Sequence, residues 1–153
     1  MNRKLIGESM IEADLIDNEQ LDELLEYQKS LDERVPLAHL SVQLGIVAEY
    51  EFAEFIAGYF NMPYMSLEEH PYVDKRALDT LPEHLAKKFN VLPVRRQNGT
   101  LTVAISDPME LETLEGLETY THCKIKAVVS PADKIKFAIM IVYQPNKFPD
   151  HAV

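Results

Sequence analysis

A 31-residue repeat between Leu5 and Phe60 limits the possible folds more than any other feature of this sequence. When the chain is shifted by that length, apolar positions coincide, so that Leu15 falls on Ile46 and Leu24 falls on Phe55. Each copy has a short helix, a small turn, an apolar pair and a longer helix whose apolar residues are spaced three and four apart. A unit this short cannot cover its own apolar stripe. The repeat therefore predicts two helical hairpins packed against each other.

The rest of the chain carries the signals of a small sheet with helices. Asn98-Gly99 lies between two β-prone runs, which is typical of a β-hairpin. Asp107-Pro108 has the pattern that opens a helix, and a further strand and helix follow it. We therefore predict an α+β fold with three parts. These are an N-terminal helical subdomain of two repeated helical hairpins at 1–61, a C-terminal subdomain with a small, mostly antiparallel sheet and flanking helices at 62–143, and a tail or linker at 144–153.

Several residues predict where helices begin and end. Asp17 followed by Gln20 at the third helical position is a capping-box pattern, so a helix should start there. Pro36 can open the third helix, and Gly45 suits the left-handed position that ends it. Pro82 should interrupt the helical segment that contains it.

The acidic charge is concentrated in the helical half. The formal net charge is −10, and residues 1–60 hold 13 Asp and Glu against 4 Lys and Arg. This balance argues against nucleic acid and against an anionic membrane surface. No run approaches the roughly 18 apolar residues of a membrane span, so direct insertion into a membrane is not expected. The single cysteine excludes an internal disulfide and fits the cytoplasm. Asp22, Glu23 and Glu26 are predicted on the solvent side of the second helix, where they form either a merely solvated face or a docking face for a basic partner.

The sequence contains no recognisable catalytic constellation. The five glycines are scattered, and none belongs to a phosphate-binding loop. The five histidines lack metal-ligand spacing, and no nucleophile elbow occurs. We therefore predict a protein that is not an enzyme, with no catalytic residue, no metal and no cofactor.

The ordered motifs resemble one family of domains. The pattern Ile6-Gly7-x-x-Met10, followed by Gln20-Leu21-x-x-x-Leu25-x-x-Gln28, is similar to the N-terminal domain of type II secretion and type IV pilus assembly ATPases. Later segments continue the resemblance, namely Phe60-Asn61-Met62-Pro63, Val91-Leu92-Pro93-Val94 and Asp107-Pro108. The resemblance implies a non-catalytic docking or regulatory module. Its expected partner is the secretion or pilus platform protein or the ATPase core, in the cytoplasm or peripherally at the inner membrane through that partner.

Members of the MshEN type within this family bind cyclic di-GMP through a motif that occurs twice. The resemblance implies that Arg and Gly of this motif meet phosphate while leucines pack on guanine. Here Leu5 and Pro36 stand where the motif has arginine, and Asp14 stands where it has its second glycine. Cyclic di-GMP is therefore the alternative partner, and the residues implied for it are Gly7, Leu21, Leu25, Gln28, Gly45 and Asp107.

Each of the polar and glycine positions also has a purely structural interpretation. Gly7 can be a helix contact or turn residue, and Gln28 can be a surface or capping residue. Asp107 can be simply the cap of the helix that follows it. We favour these structural interpretations because both motif arginines are missing.

Overall fold

The computed structural model describes residues 5–67, 73–108 and 111–143. Over these ranges the chain forms eight α-helices and three β-strands. The helices are α1 (Ile6–Glu12), α2 (Asn18–Ser30), α3 (Leu37–Gln43), α4 (Glu49–Tyr59), α5 (Lys75–Thr80), α6 (Glu83–Phe89), α7 (Leu111–Thr121) and α8 (Ala132–Tyr143). The strands are β1 (Leu92–Gln97), β2 (Thr100–Ile105) and β3 (Lys124–Val129). The predicted tail at 144–153 lies outside the described residues.

The two sequence copies adopt the same backbone geometry. The helices α1 and α3 are both seven residues long, and they begin 31 positions apart. The starts of α2 and α4 are also separated by 31 positions. After each short helix the chain enters the left-handed region at equivalent residues, Asp14 with φ 60° and Gly45 with φ 76°. The repeated helical hairpins are therefore confirmed. Asp tolerates this conformation better than most side chains because its short carboxylate can bond locally.

The predicted helix ends are confirmed at several positions. The Asp17 carboxylate accepts a hydrogen bond from Gln20 N at 2.7 Å, and Gln20 Oε1 accepts one from Asp17 N at 2.9 Å. This capping box starts α2. Pro36 directly precedes α3, and the segment around Pro82 separates α5 from α6.

The sheet has the order β1-β2-β3 and is mixed. The strands β1 and β2 pair antiparallel across Asn98-Gly99, whose φ angles of 50° and 79° are those of a type I′ turn. The strands β2 and β3 pair parallel, because α7 carries the chain back to the starting edge of the sheet. The α+β class is confirmed. The expectation of a mostly antiparallel sheet is wrong for the pairing of β2 with β3, which is parallel. Before the sheet, Tyr64 forms one isolated bridge with Val129.

Buried apolar residues fall into two clusters. One joins the four helices of the repeat, and its fully buried members include Met10 and Ile56. The other lies between the sheet and the helices α5 to α8, and Leu101 and Ile139 are at its centre. The strand residue Val129 packs in the first cluster, so the sheet directly contacts the helical half. The boundary near residue 61 remains a prediction.

None of the helices in the described ranges combines the length and the apolar character that crossing a membrane requires.

Candidate functional site

A cleft lies where the helical half meets the carboxyl ends of β2 and β3. Its volume is about 200 Å³. The helices α3 and α4 form one wall, and the segments that follow β2 and β3 form the other. The lining residues are His39, Val42, Gln43, Glu49, Phe52, Ala53, Ser106, Asp107, Ser130 and Ala132. Polar groups from both halves therefore converge on one cavity, which is the usual arrangement of a small-ligand site.

His39 and Asp107 connect the two walls of this cleft. The imidazole Nε2 lies 2.8 Å from Asp107 Oδ2, and the Asp107 side chain is only 8% exposed. The ring of His39 also meets Phe52 edge to face, with 5.5 Å between the ring centroids. A hydrogen bond to a buried carboxylate is stronger than one at the surface. This contact therefore fixes α3 against the segment that follows β2.

Glu49 makes a second polar link across the cleft. Its Oε2 accepts a hydrogen bond from the backbone N of Asp133 at 2.9 Å, which ties the start of α4 to the start of α8. Burial, with a smaller contribution from the nearby Asp133 carboxyl, raises the pKa of Glu49 above its ordinary value. The cleft thus contains a carboxylate whose ionised form is poorly solvated.

Most of the residues implied for the dinucleotide lie elsewhere, in contacts between helices. Gly7 is buried, and a Cβ built on it would lie 2.8 Å from Leu21 Cδ1 and 3.1 Å from Leu37 Cδ2. The Gln28 side chain donates to the carbonyl of Val35 at 2.7 Å and so fastens the loop before α3. Both positions have a structural reason for their residue type.

Leu25 and Gly45 are also separate from the cleft lining. Leu25 is 38% exposed on α2, and Gly45 occupies the left-handed position after α3. Of the six residues implied for cyclic di-GMP, Asp107 alone is among the described residues that line the cleft. The structure therefore does not gather these six into one described cavity.

The three acidic residues proposed for partner docking are exposed on α2. The solvent side of the helix carries Asp22, Glu23 and Glu26, whereas Leu24 is buried on the opposite side. The described part of the chain holds no group of three or more His, Cys, Asp or Glu side chains that could bind a metal ion.

Sequence reasoning missed His39, Glu49 and Phe52 as cleft residues. His39 and Asp107 belong to different halves of the chain, and nothing in the local pattern around either residue indicates their contact. The sequence shows only that the polar Asp107 follows a β-prone run, and its burial, which demands a partner, is visible in the structure alone.

The comparisons with known proteins agree on one family. The MshEN domain model matches residues 60–146. The type IV pilus assembly ATPase PilB of Myxococcus xanthus is 28% identical over 138 residues, which is 90% of this chain and 24% of that protein. PilB of Pseudomonas aeruginosa is 26% identical over 136 residues, which is 88% of this chain and 23% of that protein. The chain thus spans about a quarter of the length of these two relatives.

Two solved structures share the fold. The structure of MshE with cdg has a TM-score of 0.74 and 26% identity, and the match covers 90% of this chain and 98% of that one. The N-terminal domain of XpsE has a TM-score of 0.71 and 20% identity, and the match covers 92% of this chain and 97% of that one. At that identity, the likeness to XpsE shows the fold alone.

Proposed function

Since this chain belongs to the MshEN domain family, we propose that it is a non-catalytic docking and regulatory module of a secretion or pilus assembly machine. Its similarity to the pilus assembly ATPases covers about a quarter of their length, and the solved structure of the XpsE N-terminal domain shares its fold. We place it on the cytoplasmic side, where it connects the ATPase core or a related protein to the platform. The described residues hold no cluster that could bind a catalytic metal, which is compatible with this role.

The observation that carries the docking role is the exposed acidic face of α2. Asp22, Glu23 and Glu26 are all exposed, while Leu24 between them is buried in the helical core. The residues 1–60 that contain this face hold nine more acidic than basic residues. Such a face attracts a basic surface and accelerates its association. We therefore propose that the partner is the platform protein and that it presents Lys and Arg to α2.

Reversal of the three charges tests this role. The variant Asp22→Lys/Glu23→Lys/Glu26→Lys should fold normally, because all three side chains are in solvent. It should slow association with the platform protein by about tenfold at low salt, since rim charges act mainly on the on-rate. Binding kinetics with the partner identified by pull-down from the native host measure this rate.

The matched control reverses three exposed glutamates of α7, namely Glu112, Glu115 and Glu118. It makes the same change in net charge in the other half of the molecule. Equal association rates for both variants would show that the face of α2 is only solvated.

A second candidate function is binding of cyclic di-GMP, favoured by the similarity to the structure of MshE with cdg. The two motif arginines are replaced by Leu5 and Pro36, so phosphate would lack its charged donors here. We expect a dissociation constant no tighter than roughly 100 μM, about −5.5 kcal/mol. Titration calorimetry at moderate salt measures it, and Leu5→Arg/Pro36→Arg provides the comparison. A low-micromolar constant for the unchanged chain would make the dinucleotide its ligand.

A further inference from the structure

We propose that the cleft between α3, α4 and the sheet binds a guanidinium group, which the basic partner supplies as an arginine side chain. That source rests on the proposed docking function, whereas the site itself rests on the geometry of the cleft. The acidic face of α2 would guide the partner by its overall charge. The cleft would take up one side chain and so add a specific contact.

The charge of the lining calls for a cation. None of the lining residues described for this cavity is Lys or Arg, whereas Glu49 and Asp107 both contribute carboxyl groups, of which Asp107 already contacts the His39 imidazole. The Asp133 carboxyl lies close enough to Glu49 to disfavour its ionisation. An incoming cation would relieve this repulsion. It would do so in a partly dehydrated cavity, where an ion pair is stronger than in water.

The arrangement of acceptors favours guanidinium over ammonium. Gln43 and Glu49 lie on the helical wall, and Ser106 and Asp107 lie on the opposite wall. A guanidinium has five N–H donors in a planar fork and can therefore bond to both walls at once. An ammonium is a compact point charge with three donors, so it would satisfy one wall at the expense of the other.

The size of the cleft matches this group. The cleft, at about 200 Å³, is smaller than the roughly 300–1,000 Å³ of pockets for drug-sized ligands, which suits a single side chain. An arginine side chain beyond its Cα is of that size, whereas an intact dinucleotide is several times larger. The apolar members Val42, Phe52 and Ala53 would contact the methylene stem.

The test titrates the whole chain with the probe N-acetyl-arginine amide. Binding is measured by the chemical-shift changes of the backbone amides in NMR spectra. We expect saturable shifts at the lining residues with a millimolar constant, up to about 20 mM probe. N-acetyl-citrulline amide has nearly the same shape without the charge and should produce no saturable shift. N-acetyl-lysine amide should bind on the order of tenfold more weakly.

Two variants and one control locate the site. Glu49→Gln retains an oxygen that can accept from Asp133 N and should weaken the arginine probe on the order of tenfold. Glu54→Gln removes the same charge from an exposed position on the same helix and should leave the affinity unchanged. Ser106→Leu should block the cleft without altering any charge, so it tests the site even if Glu49→Gln fails to fold.

Several results would overturn the proposal. These are the absence of saturable shifts in the lining up to that concentration, equal shifts with citrulline, or unchanged binding in Ser106→Leu. The acidic face and the cleft can fail separately. If charge reversal on α2 slows the partner but the probe does not bind, the docking role stands without the cleft. If the probe binds but reversal has no effect, the cleft stands and the proposed face is wrong.

Discussion

Two glycine-to-alanine changes should shift stability in opposite directions, and the structure explains the difference. Gly7 in α1 is buried, and a Cβ there would lie 2.8 Å from Leu21 Cδ1 and 3.1 Å from Leu37 Cδ2. Gly116 in α7 is exposed and has no such atom within 4 Å. Both residues are helical, so alanine gains helix propensity in each case. The close contacts at Gly7 alone oppose that gain.

The magnitudes follow from these distances. Alanine in place of glycine in a helix gains about 1 kcal/mol. Overpacking a closely filled site costs about 1–3 kcal/mol, and the cost here lies in that range because Leu37 is buried while Leu21 is only half-buried and can turn away. Gly7→Ala should therefore lose about 1 kcal/mol in net stability, whereas Gly116→Ala should gain up to about 1 kcal/mol.

Thermal and urea unfolding of the two variants measure this difference. For a chain of this size, a gap of about 2 kcal/mol separates the melting temperatures by roughly 4–8 °C. If Gly7→Ala is as stable as Gly116→Ala, the contact with Leu21 does not constrain the residue. The presence of glycine at position 7 would then need another cause, such as close approach of a ligand.

Three further changes test other parts of the structure. His39→Ala should cost about 2 kcal/mol by urea unfolding because it leaves the buried Asp107 carboxylate without its imidazole, and the effect should largely vanish in an Asp107→Ala background if the contact is responsible. The raised pKa of Glu49 means that the folded state favours the protonated carboxyl. Its contribution to the free energy of unfolding is therefore fully present below pH 4.5 and is lost as the pH rises through the folded pKa. The stability of Glu49→Gln relative to the unchanged chain should accordingly be higher at pH 7 than at pH 4. The same difference in unfolding free energy between the two proteins at both pH values would refute this. Asp14→Gly should gain about 1 kcal/mol by relieving a left-handed non-glycine residue, and a loss of stability would show that the carboxylate has a local partner.

The parts of the fold that were predictable from sequence are those determined by short-range chemistry. The Asp17 and Gln20 capping box and the Asn98-Gly99 turn involve residues three positions or fewer apart, and both formed as expected. The 31-residue repeat was visible because equivalent residues perform equivalent packing. Local pattern and structure agree wherever the partner of a residue lies within the same element or turn.

The parts that were not predictable depend on contacts between distant elements. The parallel pairing of β2 with β3 follows from the path of α7, which no strand pattern records. The contact between His39 and Asp107 joins the two halves of the chain. Sequence reasoning treated Asp107 as a helix cap or a ligand residue, and the imidazole that it contacts could be identified only from the fold.

The remnants of the dinucleotide motif can be explained by packing alone. Glycine is favoured at position 7, where α1 meets Leu21 and Leu37, and at position 45, where the backbone is left-handed, although Asp14 adopts the equivalent conformation in the first repeat. Gln28 fastens a loop through its bond to Val35. The motif arginines are the residues implied to meet phosphate, and Leu5 and Pro36 occupy their positions here, each directly before a helix. Asp14 replaces the second motif glycine at the other left-handed position, so residues besides the arginines have also changed, and those that remain each have a packing or backbone reason to be kept.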